Sequence, residues 1–206
     1  MIIKAKHDFF IGPFIRWYVF RKMKREFHSF HFNGGLNDRK KPVLLVCNHI
    51  SWWDGIWALH YNQKFLHRKF HFMMLEEQLR KNWFLRYTGG FSVRKKSRSV
   101  VETIDYSAEL LTNAKNMVLL FPSGKIQSMY RNNIQFEKGV EKIIWKAKNE
   151  IQVVFMVNLI DYFSAPKPKL FCFTTEFSGA ATTQKIEEAY NLFYQDCLSR
   201  QSIKEE

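Results

Sequence analysis

Residues 43–55 read Val-Leu-Leu-Val-Cys-Asn-His-Ile-Ser-Trp-Trp-Asp-Gly, and they indicate the fold class of the whole chain. The first five residues, Val43–Cys47, are all apolar, which is typical of a strand buried on both faces of a sheet. A short polar stretch follows, and a helical pattern begins at Asp54. A buried strand that leads through a polar turn into a helix is the unit from which helix-covered sheets are built.

The same alternation continues to the end of the chain. Candidate strands are Val43–Cys47, Phe70–Leu75, Gly90–Arg94, Met117–Phe121, Gln152–Asn158 and Leu170–Glu176. Candidate helices cover residues 54–64, 76–87, 99–115, 137–149 and 183–200. We therefore predict an α/β fold, with a mixed, largely parallel β-sheet flanked by helices.

Composition limits the kind of partner. The 206 residues include 32 Lys and Arg but only 19 Asp and Glu, so the net charge is +13. Such an excess predicts an anionic partner, which composition alone leaves open among nucleic acid, an acidic protein, a phosphorylated ligand and a membrane surface. Three cysteines without CxxC spacing indicate neither a disulfide framework nor a zinc site, and they fit a reducing compartment.

The first 40 residues differ in character from the rest. Phe9–Phe20 places apolar and aromatic residues beside a basic cluster, the composition of an amphipathic segment that lies at headgroup depth. The stretch is shorter than the ~20 residues that span a bilayer. We expect a membrane-associating segment over 1–40 and a domain over 41–206 that is large enough to be an enzyme. The alternative for the first segment is an N-terminal helix packed on the domain's own core.

One histidine and one aspartate stand at the end of the first predicted strand. His49 and Asp54 lie five residues apart and meet if the chain turns between them. The carboxylate would then hold one ring nitrogen and leave the other free to remove a proton from an acceptor hydroxyl. A structural alternative is that Ser51 caps the helix while Asp54 accepts from the Ser51 backbone N–H. The two roles are compatible.

Four ordered blocks then identify a family. They are His49 to Asp54; Gly89 to Arg94; Phe121 to Gly124; and Phe136, Lys138 and Gly139, followed by the apolar strand Gln152–Asn158. In order and spacing they resemble the glycerolipid acyltransferase family (lysophosphatidic acid acyltransferase-like), whose first block is a His, four residues and an Asp, HX4D. The resemblance covers roughly residues 40–160. It implies a glycerol-phosphate acyltransferase-like fold and a role in phospholipid synthesis.

The resemblance also implies a mechanism and a set of site residues. His49 would be the general base, Asp54 its orienting partner and Arg94 a ligand of the acceptor phosphate. The acceptor hydroxyl would attack a thioester directly, without an acyl-enzyme. Acyl-CoA or acyl-carrier protein would be the co-substrate, no other cofactor is expected, and the protein would be cytoplasmic and peripheral on the inner face of the cell membrane. Further substrate-binding residues in the matching blocks are Ser123, Gly124, Lys125 and Lys138.

The third block departs from the family's usual Phe-Pro-Glu-Gly-Thr-Arg-Ser. Here Ser123 replaces the Glu and Ile126 replaces the Arg, so a carboxylate and a forked cation are missing. Lys125 restores part of the charge. Two kinds of acceptor therefore stay open: a lysophospholipid, or an unusual hydroxyl or amine such as that of a lysolipoamino acid, a glycolipid or a pigment.

Other readings are weaker. Trp52, Trp53 and Trp57 are candidates for lining an acyl channel. His67 and His71 lie in a strand-like stretch, so no metal site is expected there. A nucleic-acid-binding domain would explain the charge but not the His49–Asp54 spacing, and we expect no nucleic-acid partner. A catalytically silent lipid-binding relative is the remaining alternative, which the presence of both His49 and Asp54 disfavours.

Overall fold

The computed structural model describes residues 1–94, 99–147 and 150–205. Within these ranges seven strands form one sheet, in the spatial order β1-β7-β6-β2-β5-β3-β4. The strands are β1 Ser29–Asn33, β2 Val43–Cys47, β3 Lys69–Leu75, β4 Gly90–Val93, β5 Asn116–Leu120, β6 Gln152–Asp161 and β7 Lys169–Glu176. β6 and β7 are antiparallel and the other neighbouring pairs are parallel. The predicted mixed, largely parallel α/β sheet is confirmed.

Helices cover both faces of this sheet. The α-helices are α1 Ile11–Glu26, α2 Asp54–Tyr61, α3 Glu76–Lys81, α4 Ser99–Leu110, α5 Val140–Lys146 and α6 Thr183–Ser202. Side chains of β2 alternate between two apolar layers, as the pleat of a strand requires. Leu44 packs in the layer that contains Tyr190 of α6, while Leu45 packs in the layer that contains Trp57 of α2. β2 is therefore the centre of a core closed on both sides.

Several boundaries differ from the prediction for local reasons. The predicted helix over 76–87 is two pieces, because α3 ends at Lys81 and a 3₁₀ helix covers Trp83–Tyr87. The helix predicted from 137 begins at Val140, since Gly139 has φ of 147°. Its predicted last residues, 148 and 149, lie outside the described residues, as do the basic residues Lys95, Lys96 and Arg98 that follow Arg94.

The N-terminal part contributes to the fold as well. β1 pairs in parallel with β7, so the sheet includes a strand that precedes residue 41. α1 begins after Asp8, whose carboxylate accepts hydrogen bonds from the backbone N–H groups of Phe10 and Ile11. In the described parts of the chain, no helix combines the length and the apolar character needed to cross a bilayer.

The parallel strands set the position of the candidate site. The carboxyl ends of β2, β3, β4 and β5 meet at one edge of the sheet, the edge at which open α/β sheets bind ligands. His49 follows β2, Glu76 follows β3, Arg94 follows β4 and Phe121 follows β5. The topology therefore brings together residues that are up to 72 positions apart in the sequence.

Candidate active site

His49 and Asp54 are in direct contact at this edge. The Nδ1 atom of His49 lies 2.9 Å from Oδ2 of Asp54. Asp54 is completely buried, while the His49 side chain is 21% exposed. Because Nδ1 is held by the carboxylate, the other ring nitrogen, Nε2, is the one left to act on a substrate.

A tight turn gives the aspartate its position. Oδ2 of Asp54 also accepts hydrogen bonds from the backbone N–H groups of Ile50 (2.8 Å) and Ser51 (2.7 Å). The hydroxyl of Ser51 accepts from the Trp53 N–H at 3.2 Å. The contact of Asp54 with the Ser51 N–H considered from the sequence is therefore present, on the same carboxylate oxygen as the histidine contact. Ser51 does not cap α2, whose N-cap residue is Trp53.

The second oxygen of Asp54 faces an amide from another strand. The Nδ2 atom of Asn158, on β6, lies 3.3 Å from Oδ1 of Asp54. The Asn158 backbone is in turn fixed by the Asn48 side chain, which accepts from its N–H at 2.8 Å and donates to its carbonyl at 2.9 Å. Burial raises the pKa of Asp54, while the hydrogen bonds from His49, Ser51 and Asn158 oppose that rise.

An aromatic ring packs against one face of the His49 imidazole. Phe121 stacks on His49 with ring centroids 4.0 Å apart and planes inclined by 11°. The backbone carbonyl of His49 also accepts a 2.7 Å hydrogen bond from the N–H of Gln127. The turn after β5 therefore fixes both the ring and the backbone of His49.

The predicted substrate-binding residues of this turn take different positions. Ser123 is buried, and its hydroxyl donates to the Lys125 carbonyl at 2.8 Å. Gly124 adopts a φ of 57°, which a glycine takes without strain. Gly124 and Lys125 line the same cavity as His49, with Lys125 exposed at its edge. Ser123 therefore stabilises the turn that presents the other two.

Arg94 is held by an acidic partner that the sequence did not reveal. Its Nη2 atom lies 2.7 Å from Oε1 of Glu76, which also pairs with Arg80 at 2.9 Å. The Arg94 side chain is 59% exposed, whereas that of Glu76 is 8% exposed. The two guanidinium groups lower the pKa of Glu76, so the carboxylate stays ionised. Arg94 is thus fixed at the carboxyl edge with part of its guanidinium open to solvent.

A long cavity begins beside His49. It has a volume of about 1330 Å³, larger than the ~300–1,000 Å³ of sites for compact ligands. Its lining includes residues from both ends of β3, Lys69 to Leu75, so it follows that strand for roughly 20 Å at ~3.3 Å per residue. Much of the wall is apolar. Side chains of α1, α2 and β3 in this wall include Phe14, Ile15, Val19, Ile56, Leu59, Phe70 and Phe72.

The tryptophan candidates separate into two groups. Trp52 lines the cavity and is 63% exposed. Trp57 is completely buried in the apolar core and lies outside the cavity lining, so the channel assignment of Trp57 is wrong. Trp53 is half-buried and also lies outside the lining. The reason is helical spacing: Trp53 and Trp57, four residues apart, both pack their rings on Phe27.

Lys138 lies on a segment that returns to the site. The preceding residue, Glu137, donates its backbone N–H to the Pro122 carbonyl at 2.8 Å. The Lys138 side chain is exposed and is not among the residues that line the cavity. The backbone of Glu137 therefore supports the turn after β5, and a role of Lys138 in substrate binding stays a prediction.

Sequence reasoning missed the partners Glu76 and Asn158 and the cavity wall formed by α1. Asn158 is the last residue of the predicted strand Gln152–Asn158, but its contact with Asp54 joins residues 104 positions apart. No local pattern signals such a pairing. Glu76 had a signal, because an acidic residue directly after a parallel strand points to the same edge as Arg94.

Comparison with known families matches the part of the chain that forms this edge of the sheet. A sequence model of the family described as acyltransferase matches residues 29–157, more than half of the chain. The matched region begins with β1 and ends within β6. It therefore contains the turn that holds His49 and Asp54, Arg94 and the turn after β5. A comparison with curated proteins gave no match.

Proposed function

Since the chain belongs to the acyltransferase family, the family of lysophosphatidic acid acyltransferase-like glycerolipid enzymes, we propose that it moves a fatty acyl group from acyl-CoA or acyl-carrier protein to a lipid acceptor. The acceptor group is a hydroxyl, or an amine, of a lysophospholipid or lysolipoamino acid. One observation carries the proposal: the buried Asp54 holds Nδ1 of His49 at 2.9 Å, and His49 lies at the end of a long apolar cavity.

The proposed reaction is a direct transfer. Nε2 of His49 removes the proton from the acceptor group while its oxygen or nitrogen attacks the thioester carbonyl. Asp54 stabilises the imidazolium that forms. The C–S bond then breaks, and the departing thiolate takes the proton from the imidazolium to become the free thiol of the carrier. The products are the acylated lipid and CoA or acyl-carrier protein, and His49 is regenerated.

The cavity accounts for the hydrocarbon part of the substrate. Each methylene that leaves water for an apolar wall contributes about 0.8 kcal/mol. A chain that follows β3 from His49 toward Lys69 would contact Phe72 and Phe70 in turn. Lys125 lies at the edge of the cavity, and Arg94 follows β4 at the same edge of the sheet without lining the cavity. We expect these two cations to meet a headgroup or carrier phosphate.

A membrane surface is part of the same proposal. Phe9, Phe10, Phe14 and Trp17 are each at least 59% exposed, at the start of α1 and just before it. Phe14 also lines the cavity, so this aromatic surface borders the proposed acyl site. Residues 16–25 add five basic side chains, each worth about 1 kcal/mol near an anionic leaflet. We propose that the aromatic surface rests on the inner face of the cell membrane, where the acceptor lies.

Vesicle sedimentation tests the membrane contact. The double variant Phe10→Ser/Trp17→Ser should lose most binding to anionic vesicles, because two exposed rings no longer enter the interface. Trp145→Ser is the matched control, since Trp145 is 81% exposed on α5. Equal binding of the double variant and the control would contradict the proposed surface.

Acyl transfer is tested with the purified protein. Labelled palmitoyl-CoA or palmitoyl-acyl-carrier protein is added to anionic vesicles that contain a lysophospholipid or a lysolipoamino acid. We expect a diacyl product and one free thiol per product molecule. No reaction with any donor and acceptor pair would support a silent lipid-binding relative instead. Thioester hydrolysis without acylated lipid would contradict transfer to a lipid acceptor. Lipid analysis of cells that lack the gene then identifies the natural acceptor.

A further inference from the structure

A second cavity lies away from the His49–Asp54 pair. It has a volume of about 640 Å³ and lies at the amino ends of β3 and β5. Its lining includes His7, Lys69, His71, Lys115 and Asn116. Two of them, His7 and Lys69, also border the cavity that begins at His49, whereas His71, Lys115 and Asn116 line only the second one.

The sheet separates the two sites along most of their length. Phe70 and Phe72 face the apolar layer that contains α2. Successive side chains of a strand point to opposite faces, so His71 faces the side covered by α4. Tyr106 of α4 lines the second cavity together with His71. A group bound beside His71 is therefore on the far side of the sheet from Phe121 and His49.

His71 is an unusual residue for a protein interior. Its side chain is only 3% exposed, and neither ring nitrogen has a hydrogen-bond partner among the described residues. Burial lowers its pKa to about 4; the Asn116 side chain beside it opposes this shift, and the Lys69 ammonium adds to it. An unpartnered polar group in such a place is a cost to stability. Its presence is explained if a ligand supplies the missing partner.

The groups around His71 are donors and cations. The ring of His7 meets it edge-on, with centroids 4.8 Å apart. Lys69 and Lys115 lie at the rim with exposed side chains. The described lining contains no Asp or Glu, and no group of three metal-ligating side chains in the described parts of the chain is placed to hold a metal ion. The chemistry of the cavity therefore favours an anion.

Two further basic groups border the same space. Arg68 is already paired with Asp38 and donates to the Leu66 carbonyl, so its charge is largely engaged. His67 completes the rim on this side. The uncommitted donors are thus concentrated on His71, His7 and the two lysines.

We propose that this cavity is a binding site for a phosphate-bearing anion. An N–H of His71 and one of His7 donate to the phosphate oxygens, and the ammonium groups of Lys69 and Lys115 balance its charge. The proposal does not rest on acyl transfer, although His7 and Lys69 border both cavities. Since both imidazoles gain an anionic partner, binding raises the pKa of each ring.

Thermal unfolding with inorganic phosphate is the first test. Phosphate is compared with chloride at the same ionic strength, so that general screening cancels. At about a hundred times the dissociation constant, a specific site raises the Tm by roughly 5–10 °C for a chain of this size. An equal Tm in phosphate and chloride would overturn the proposal.

Variants separate the site from a merely basic surface. His71→Leu should abolish the phosphate-dependent rise, yet its Tm without phosphate should not fall, because an unpartnered buried imidazole is replaced by an apolar group. Lys115→Ala should weaken phosphate binding severalfold, whereas Lys185→Ala, an exposed lysine of α6, should not change it. A full phosphate effect in His71→Leu would refute the site. If that variant does not fold, the phosphate-dependent rise in Tm is compared between Lys115→Ala and Lys185→Ala, and an equal rise in both would refute the site.

The source of the phosphate is distinguished in a parallel measurement. Sedimentation with phosphatidate vesicles is compared for wild type and Lys115→Ala. Weaker vesicle binding of the variant identifies a lipid headgroup as the ligand, and unchanged vesicle binding with a lost phosphate effect identifies a soluble anion. If Lys115→Ala matches wild type in both assays, the proposal fails. Acyl transfer is followed in the same samples, so a failure of the acyltransferase proposal is seen separately.

Discussion

Replacing Asp54 by Asn separates its two roles. The amide oxygen can still accept from the backbone N–H groups of Ile50 and Ser51, and from Nδ1 of His49. What is lost is the negative charge beside the imidazolium that forms when His49 takes a proton. Asp54→Asn is therefore expected to keep the turn but to lower the rate of acyl transfer.

The size of the loss follows from the geometry. Spread over ring and carboxylate, the two charges are separated by about 4 Å, at which distance they interact by ~4 kcal/mol at an effective dielectric constant of ~20. At ~1.4 kcal/mol per decade this equals a rate loss of roughly 10³, within the ~10²–10⁴ range of general base catalysis. The new amide N–H₂ would face Nδ2 of Asn158, whose Oδ1 has no partner among the described residues, so a rotation of that amide relieves the conflict.

The assay is the initial rate of acyl transfer from a labelled thioester, with thermal unfolding as the check on folding. Ser51→Ala is the matched control, because it removes only the 3.2 Å acceptor of the Trp53 N–H in the same turn. We expect the control to stay within a few-fold of wild type. A rate for Asp54→Asn within fivefold of wild type would show that Asp54 serves the turn alone.

Three further changes probe other parts of the account. Leu59→Trp narrows the apolar cavity. Loss of contacts with about two methylenes, ~1.6 kcal/mol, should lower kcat/KM roughly tenfold for long-chain donors and leave kcat/KM for short-chain donors unchanged. An equal loss for both donors would argue against a chain in that cavity. Arg94→Lys keeps the positive charge but removes the guanidinium that donates two hydrogen bonds at once, so the KM of a phosphorylated acceptor should rise while that of an unphosphorylated acceptor should not. Equal changes in the two KM values would contradict contact with a phosphate. His71 has a pKa of about 4 when folded and about 6.5 when unfolded, so the unfolded state binds more protons between these values and stability falls as the pH falls through that window. Between pH 7 and 4.5, the free energy of unfolding measured in urea should fall by roughly 2–3 kcal/mol more in wild type than in His71→Leu. An identical fall in both proteins would contradict the burial of a neutral His71.

The sheet was predictable because its strands carry their signal locally. Val43–Cys47 is apolar at every position and is buried at every position, since helices cover both faces. β1 had no such signal: only Phe30 and Phe32 mark it as apolar, and it is defined by its pairing with β7, about 140 residues later. A pairing of that kind depends on topology, which the local pattern does not contain.

The site was predictable to a similar degree and for the same reason. The contact of His49 with Asp54 is formed within one turn, so five residues of sequence are enough to place it. The prediction for Trp57 was wrong because the sequence pattern around His49 and Asp54 is the same whether a nearby aromatic residue faces the core or a channel. Its direction depends on the rotation of α2 against Phe27, a residue of another element.

The most direct measurement is acyl transfer by His49→Ala, made with the same donor, acceptor and vesicles as wild type. Trp145→Ser, on the exposed side of α5, serves as the reference for an altered surface. We expect that His49→Ala folds, sediments with the vesicles and forms acylated lipid at least ~10²-fold more slowly than wild type. Transfer at the wild-type rate would contradict it, because no other residue is proposed to take the proton.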